Sequence, residues 1–97
     1  MTQPDDLTRC FERKVGAWFA GEGRRTVADR AYLRQMNMAL ALAASRWLEM
    51  AEEDEPVERM RAWLNQVEER AERRRAAARI EAIQRARTWF DECAERP

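Results

Sequence analysis

The chain contains few of the side chains on which enzymes rely for acid–base or nucleophilic chemistry. Its 97 residues include no histidine, the side chain that titrates near neutral pH and most often moves protons in catalysis. Ser45 is the single serine and lies within a helical pattern, and Cys10 and Cys93 have no histidine to activate a thiolate. No glycine-rich phosphate loop is present. We therefore expect a protein that is not an enzyme, with no catalytic residues and no cofactor.

The two cysteines are also insufficient for a metal site. Without histidine they cannot complete a four-ligand zinc site, and the Glu-x-x-His pairs of di-metal bundles are absent. A disulfide between Cys10 and Cys93 is geometrically possible, but reduced, half-buried thiols of a cytosolic protein are the favoured interpretation. The N-terminal segment is acidic and lacks an apolar run, and no stretch is long enough to span a bilayer. These features predict a cytoplasmic protein without a membrane partner.

Clustered arginines are candidates for phosphate contact. The candidate nucleic-acid contacts are Arg24, Arg25, Arg70, Arg73, Arg74, Arg75 and Arg79. Glutamates interrupt the longer cluster, and Glu69 can form a helical i,i+4 ion pair with Arg73. The same spacing relates Glu81 to Arg85. No aromatic side chain lies within residues 70–79 to stack on bases, and the net charge is zero. A solvated helix surface is therefore favoured over nucleic-acid binding.

An acidic run, Glu52, Glu53, Asp54 and Glu55, separates two helical patterns. The simplest interpretation is a soluble hairpin tip with carboxylates near a helix N-terminus, where they are favourable. The functional alternative is an acidic protrusion that binds a basic surface, such as the nucleic-acid groove of another protein.

Periodicity and turn signals predict an all-α fold in one domain, residues 1–97. Apolar residues recur at three- and four-residue steps, and strand-like alternation is absent. The predicted helices are 5–20, 26–53 and 56–95, with Thr26 as the cap of the second and Pro56 in the first turn of the third. Since the second and third are closely connected, they should form a long antiparallel hairpin, the basis of a small three-helix bundle.

The middle helix is expected to be the central element of the bundle. Besides a heptad seam, it carries Met38, Leu42 and Leu48 off that seam, so its apolar surface extends nearly all round. This pattern predicts a helix that is covered on more than one side.

The third helix changes its apolar face along its length. At about 100° per residue, the stripe that ends at Ala71 and the stripe that begins at Ile80 point in nearly opposite directions. Three arrangements explain this change: the first helix covers the far end, a second copy of the chain covers it, or the helix breaks near residues 73–75. The break would give a four-helix bundle, although no glycine or proline marks it.

If the helix is continuous, its far end offers an apolar docking surface. The candidate partner-binding residues are Trp89, Ile80, Ile83 and Phe90, together with the acidic run. Trp89 is the main candidate anchor, because aromatic side chains dominate interface energetics. The sequence thus predicts a non-catalytic interaction protein (a regulator, adaptor or inhibitor, a virus-encoded inhibitor included) that binds a larger protein or nucleoprotein complex. Direct nucleic-acid binding and a structural homodimer are the alternatives.

Overall fold

The computed structural model describes residues 4–95 as an all-α bundle with four long helices. In chain order the elements are α1 (Pro4–Ala17), a π-helical turn (Trp18–Glu22), α2 (Gly23–Thr26), α3 (Arg30–Met50), α4 (Pro56–Arg73) and α5 (Ala77–Ala94). The predicted fold class is confirmed, in its four-helix form. The predicted domain ends, residues 1–3 and 96–97, lie outside the described residues. No helix within the described part has the length and apolar character needed to cross a membrane.

The second predicted helix is shorter than the sequence indicated. It begins at Arg30 rather than near Thr26, because Asp29 is the N-cap and its Oδ1 accepts a hydrogen bond from the Tyr32 backbone N–H at 2.9 Å. Thr26 instead ends α2, where its hydroxyl donates to the Glu22 carbonyl at 2.7 Å. The helix therefore loses about one turn at its start.

The third predicted helix, 56–95, is not continuous: the alternative of a break near residues 73–75 is the arrangement observed, and the chain turns between α4 and α5. Arg75 has a left-handed backbone with φ of 52°, and its N–H donates to the Glu72 carbonyl at 3.0 Å. The Ala76 N–H donates to the Ala71 carbonyl at 2.9 Å. These two bonds form a Schellman motif, which normally uses glycine at the left-handed position. An arginine occupies that position here, so the sequence carried no breaker residue to mark the turn.

Reversal at Arg75 explains why the apolar face changes. After the turn, α5 packs against α1, α3 and α4, and it therefore has the central place that the sequence assigned to the middle helix. A stripe that pointed away from the core on a straight helix points into it once the helix folds back. Ile83 and Phe90 of α5 are fully buried. Burial of these side chains stabilises the turn despite the unfavourable backbone at Arg75.

Aromatic rings fill the centre of the bundle. Phe90 contacts Phe11 of α1 with ring centroids 5.6 Å apart and Trp47 of α3 at 5.0 Å. The buried Trp47 indole N–H donates to the Thr8 hydroxyl at 2.8 Å, so its polar group keeps a partner. Buried Trp18 donates likewise to Asn37 Oδ1 at 2.8 Å. These contacts connect α1, α3 and α5 into one core.

A disulfide joins α1 to α5, which corrects the expectation of two reduced thiols. Cys10 and Cys93 are buried, and their Cα atoms lie 5.7 Å apart although the residues are separated by 83 positions. The return of α5 alongside α1 creates this proximity. The sequence favoured the reduced form because a cytosolic protein was expected, and reduced thiols are the rule in that compartment.

Candidate protein-binding groove

An open groove of about 650 Å³ runs between α3 and α4, with α5 at its floor. From α3 it is lined by Gln35, Met38, Ala39, Leu42, Ser45, Arg46 and Glu49. The remaining lining residues are Trp63, Val67 and Arg70 of α4, Arg74 directly after it, and then Ala76, Arg79 and Ile83. Steps of three and four residues place each helical set on one face of its helix. The groove is thus formed by the two arms of the hairpin, above the α5 residue Ile83.

Large apolar side chains on the α3 wall are open to solvent. Met38 is 67% exposed and Leu42 is 54% exposed, whereas the next α3 position toward the core, Ala39, is buried. Opposite them, Trp63 and Val67 are half-buried and pack partly on the core. The expectation that α3 is covered on more than one side therefore fails, within residues 4–95, for Met38, Leu42 and Leu48, each of which is more than half exposed.

Three arginines lie toward one end of the groove. Because the short connection between α3 and α4 makes them antiparallel neighbours, Arg70 and Arg74 lie opposite the N-terminal half of α3. Arg79, in the first turn of α5, completes the set. Between residues 4 and 95, no carboxylate lies within ion-pair distance of these three guanidinium groups. Their charge is thus available to a partner.

Two carboxylates near this end, those of Glu68 and Glu81, are engaged by other side chains. Glu68 forms an ion pair with Arg87 of α5, and it also accepts a hydrogen bond from Gln84 at 3.1 Å. The Arg87 guanidinium holds the pKa of Glu68 below its usual value. Glu81 accepts from the Tyr32 hydroxyl at 2.8 Å, and this hydrogen bond raises the tyrosine pKa.

Charge pairing predicted from helical spacing is only partly observed. Glu81 lies 3.7 Å from Arg85, which confirms that i,i+4 pair. Glu69 and Arg73 do not come within ion-pair distance, although both are exposed on α4. The interleaved glutamates therefore neutralise the Arg70–Arg79 cluster less than the sequence indicated.

The opposite end of the groove is electrostatically different. Arg46 donates to Glu49 at 2.9 Å, so the two charges compensate each other within one turn of α3. Beyond them, the acidic run from Glu52 to Glu55 is exposed in the connection to α4. Arg59 organises this connection by donating to the Asp54 carbonyl at 2.7 Å. The groove therefore has a basic end and an end of near-zero charge, with an acidic tip outside it.

The predicted docking end on α5 is mostly absorbed into the core. Ile83 and Phe90 have no exposed surface, so they cannot present a docking surface in this conformation. Ile80 and Trp89 are half-buried, and the Trp89 ring lies 5.9 Å from the Trp18 ring. The reason is again the turn after α4, which folds the second apolar stripe onto α1 and α3.

The remaining predicted residues lie apart from the groove. Arg24 and Arg25 are exposed on α2, and neither lines the groove. Residues missed by the sequence analysis are Met38, Leu42, Trp63 and Val67. A signal for the first two was present, since both lie off the α3 heptad seam, but it was assigned to burial.

The chemistry available in this groove is recognition by apolar contact and positive charge. Four arginines and one glutamate line it, for a formal charge of +3, and Ser45 is its only hydroxyl. Within the described part of the chain, no three His, Cys, Asp or Glu side chains are grouped so that they could hold a metal ion. Comparisons with protein-family models, with curated proteins and with solved structures found no match.

Proposed function

We propose that the protein is a non-catalytic interaction module that binds a larger protein through the groove between α3 and α4. The observation that carries this proposal is the exposure of Met38 and Leu42, at 67% and 54%, in an open groove opposite Trp63. Adjoining apolar side chains that remain exposed in a groove are typical of a binding surface, because water contact with them is unfavourable. A regulator, an adaptor or an inhibitor, including a virus-encoded one, would act in this way by occupying a partner's surface.

Charged surfaces outside the groove would steer this association. The acidic tip at residues 52–55 and the arginines Arg73 and Arg75 are exposed, lie outside the groove lining and are of opposite sign. Peripheral charges of this kind raise the association rate and fix orientation more than they raise affinity. Half-buried Trp89 supplies at most a secondary contact, because part of its ring is already packed against Trp18.

Capture of partners from the source cell with matched variants tests the proposal. Leu42→Glu places a charge in the groove, and Leu48→Glu places the same charge at an equally exposed α3 position outside it (54% and 51% exposed). We expect the wild type and the Leu48 variant to retain the same partner, and the Leu42 variant to lose it. Circular dichroism should show equal helicity in all three proteins. Equal capture by both variants would exclude the groove as the binding surface.

Direct nucleic-acid binding is the second candidate, and one observation favours it. Arg70, Arg73, Arg74, Arg75 and Arg79 surround the α4–α5 turn, and none has an ion-pair partner within the described residues. Binding through these groups would weaken steeply with salt, because phosphate neutralisation releases counterions. Titration of labelled duplex and single strand at about 50 and 200 mM salt tests this, and no binding at the lower salt removes the candidate.

A cytoplasmic location remains a prediction, and the Cys10–Cys93 disulfide is an argument against it. Disulfides persist mainly in oxidising compartments and are rare in the reducing cytosol. The redox state of Cys10 and Cys93 in the source cell distinguishes a cytosolic location from an oxidising compartment. Protein alkylated at harvest and measured by intact mass should carry no alkyl groups if the disulfide is present there, and two if both thiols are reduced.

A further inference from the structure

We propose that the occupant of the groove is an acidic amphipathic helix of the partner protein, about four turns long. This inference rests on the proposed function, and it specifies the chemistry of the partner. Its apolar stripe would contact Met38, Leu42, Trp63 and Val67, and its carboxylates would lie over Arg70, Arg74 and Arg79.

The length of the groove matches that of a helix of about four turns. Its α3 wall extends from Gln35 to Glu49, which is about 21 Å at 1.5 Å per residue. Both walls are helices with exposed side chains at three- and four-residue steps, the geometry into which a third helix packs its own ridges. Helix-in-groove recognition uses apolar anchors at i, i+3 or i+4, and i+7. Met38 and Leu42, four residues apart, would contact successive anchors of such a stripe.

The charge of the groove determines which helix is favoured. Arg46 is already compensated by Glu49 at 2.9 Å, so the uncompensated charge is that of Arg70, Arg74 and Arg79 at the other end. These groups lie beside an apolar surface that a bound helix would shield from water. Charge-assisted hydrogen bonds from arginine to carboxylate are strong under such conditions. A partner helix with several carboxylates in the half that lies over this end is therefore favoured over a neutral or basic one.

A second copy of the chain fits less well. A two-fold dimer that pairs the grooves would bring two surfaces of formal charge +3 together, and like charges across an interface are unfavourable. The acidic tip that could compensate lies outside the groove lining. Nucleic acid would contact the arginines, but it would leave the exposed side chains of Met38 and Leu42 without a role, because they cannot bind phosphate.

Two synthetic helical peptides test the proposal with the full chain. Both carry the same leucine stripe over four turns, and they differ only in having glutamates or lysines at the other positions of one half. Fluorescence anisotropy should show binding of the glutamate peptide and at least tenfold weaker binding of the lysine peptide. We expect Leu42→Glu to abolish binding and Leu48→Glu to leave it unchanged. The double variant Arg74→Glu, Arg79→Glu should reverse the preference between peptides.

Several outcomes would overturn the proposal. Equal affinity for the two peptides would refute the charge selection. If neither peptide binds while Leu42→Glu still removes the cellular partner, the acidic helix is wrong and the proposed function stands. If neither peptide binds and Leu42→Glu leaves partner capture intact, the acidic-helix proposal and the proposed function are both wrong. A wild-type dimer in sedimentation equilibrium that Leu42→Glu dissociates would assign the groove to a second copy. A labelled oligonucleotide could also displace the glutamate peptide. If that oligonucleotide binds the wild type and Leu42→Glu equally, the arginines belong to a nucleic-acid site.

Discussion

The same substitution, glycine to alanine, should have opposite effects at two helical positions. Gly16 is exposed on α1, and no atom outside its own helical neighbourhood lies within 4 Å of where an alanine Cβ would be placed. Gly23 begins α2 with φ of −61°, so its backbone conformation is open to any residue. However, a Cβ there would lie 2.7 Å from the Trp18 indole ring and 3.2 Å from Leu33 Cδ1. Glycine is therefore required at position 23 because the Trp18 ring lies so close to its backbone, and not because of its backbone conformation.

The expected magnitudes follow from these contacts. Gly16→Ala should raise the free energy of unfolding by about 0.5–1 kcal/mol, because alanine restricts the unfolded chain and favours helix. At Gly23, the buried Trp18 ring must shift, and overpacking of this kind costs about 1–3 kcal/mol. That shift also disturbs the hydrogen bond from Trp18 Nε1 to Asn37 at 2.8 Å, worth about 1 kcal/mol. After subtraction of the helix gain, Gly23→Ala should lower stability by about 1–3 kcal/mol.

Thermal and denaturant unfolding followed by circular dichroism measures both effects. For a domain of this size, 1 kcal/mol corresponds to a change in melting temperature of about 4–8 °C, so the two variants should differ clearly and in sign. Trp18→Phe supplies the control, since a smaller ring leaves room for the new Cβ and should reduce the cost of Gly23→Ala in a double-mutant cycle. A Gly23→Ala protein as stable as wild type, or a cost unchanged by Trp18→Phe, would refute the close packing described here.

Three further predictions concern the disulfide, the turn and one ion pair. Loss of the Cys10–Cys93 bond, by reductant or by Cys93→Ala, should lower the free energy of unfolding by about 4.5 kcal/mol, because the bond closes a loop of 83 residues. Calorimetry measures this loss. The stability of the Cys93→Ala variant should not change when reductant is added. Arg75→Gly should raise the free energy of unfolding by about 0.5–1 kcal/mol because φ there is 52°. Arg74→Gly, where φ is −90°, should give no gain. Since the pKa of Glu68 is lowered by folding, its ion pair stabilises the protein above the usual glutamate pKa and is lost as pH falls through the folded value. Glu68→Gln should therefore cost about 1 kcal/mol at pH 7 and much less once the pH is below the folded pKa of Glu68.

The helical class and most helix positions could be predicted from periodicity, because amphipathic spacing and capping residues act locally. Pro56 in the first turn of α4 is an example. A break near residues 73–75 was only one of three arrangements that the sequence allowed, because arginine rather than glycine occupies the left-handed position at Arg75. Its cause is long-range: Ile83 and Phe90 become buried only when α5 folds back. The change of apolar face after Ala71 was the one local trace of this reversal.

The groove was harder to predict, because exposure depends on which neighbours are present. An apolar helix face has the same sequence pattern whether another helix covers it or not. Met38 and Leu42 were recognised as lying off the α3 seam, and only the placement of α4 and α5 leaves them uncovered. Conversely, Trp89 was predicted to be an exposed anchor, and its contact with Trp18 depends on the position of the π-helical turn.

The link between Cys10 and Cys93 has a mechanical consequence. Tension applied across residues 4 and 95 would be carried by the sulfur–sulfur bond, and the helices between the two cysteines would lie outside the load path. Two cargoes fused to the two termini could thus pull against each other without separating α3 from α4. Residues 35–83, which include all the residues that line the groove, would stay assembled under a pull that unfolds a bundle without a crosslink.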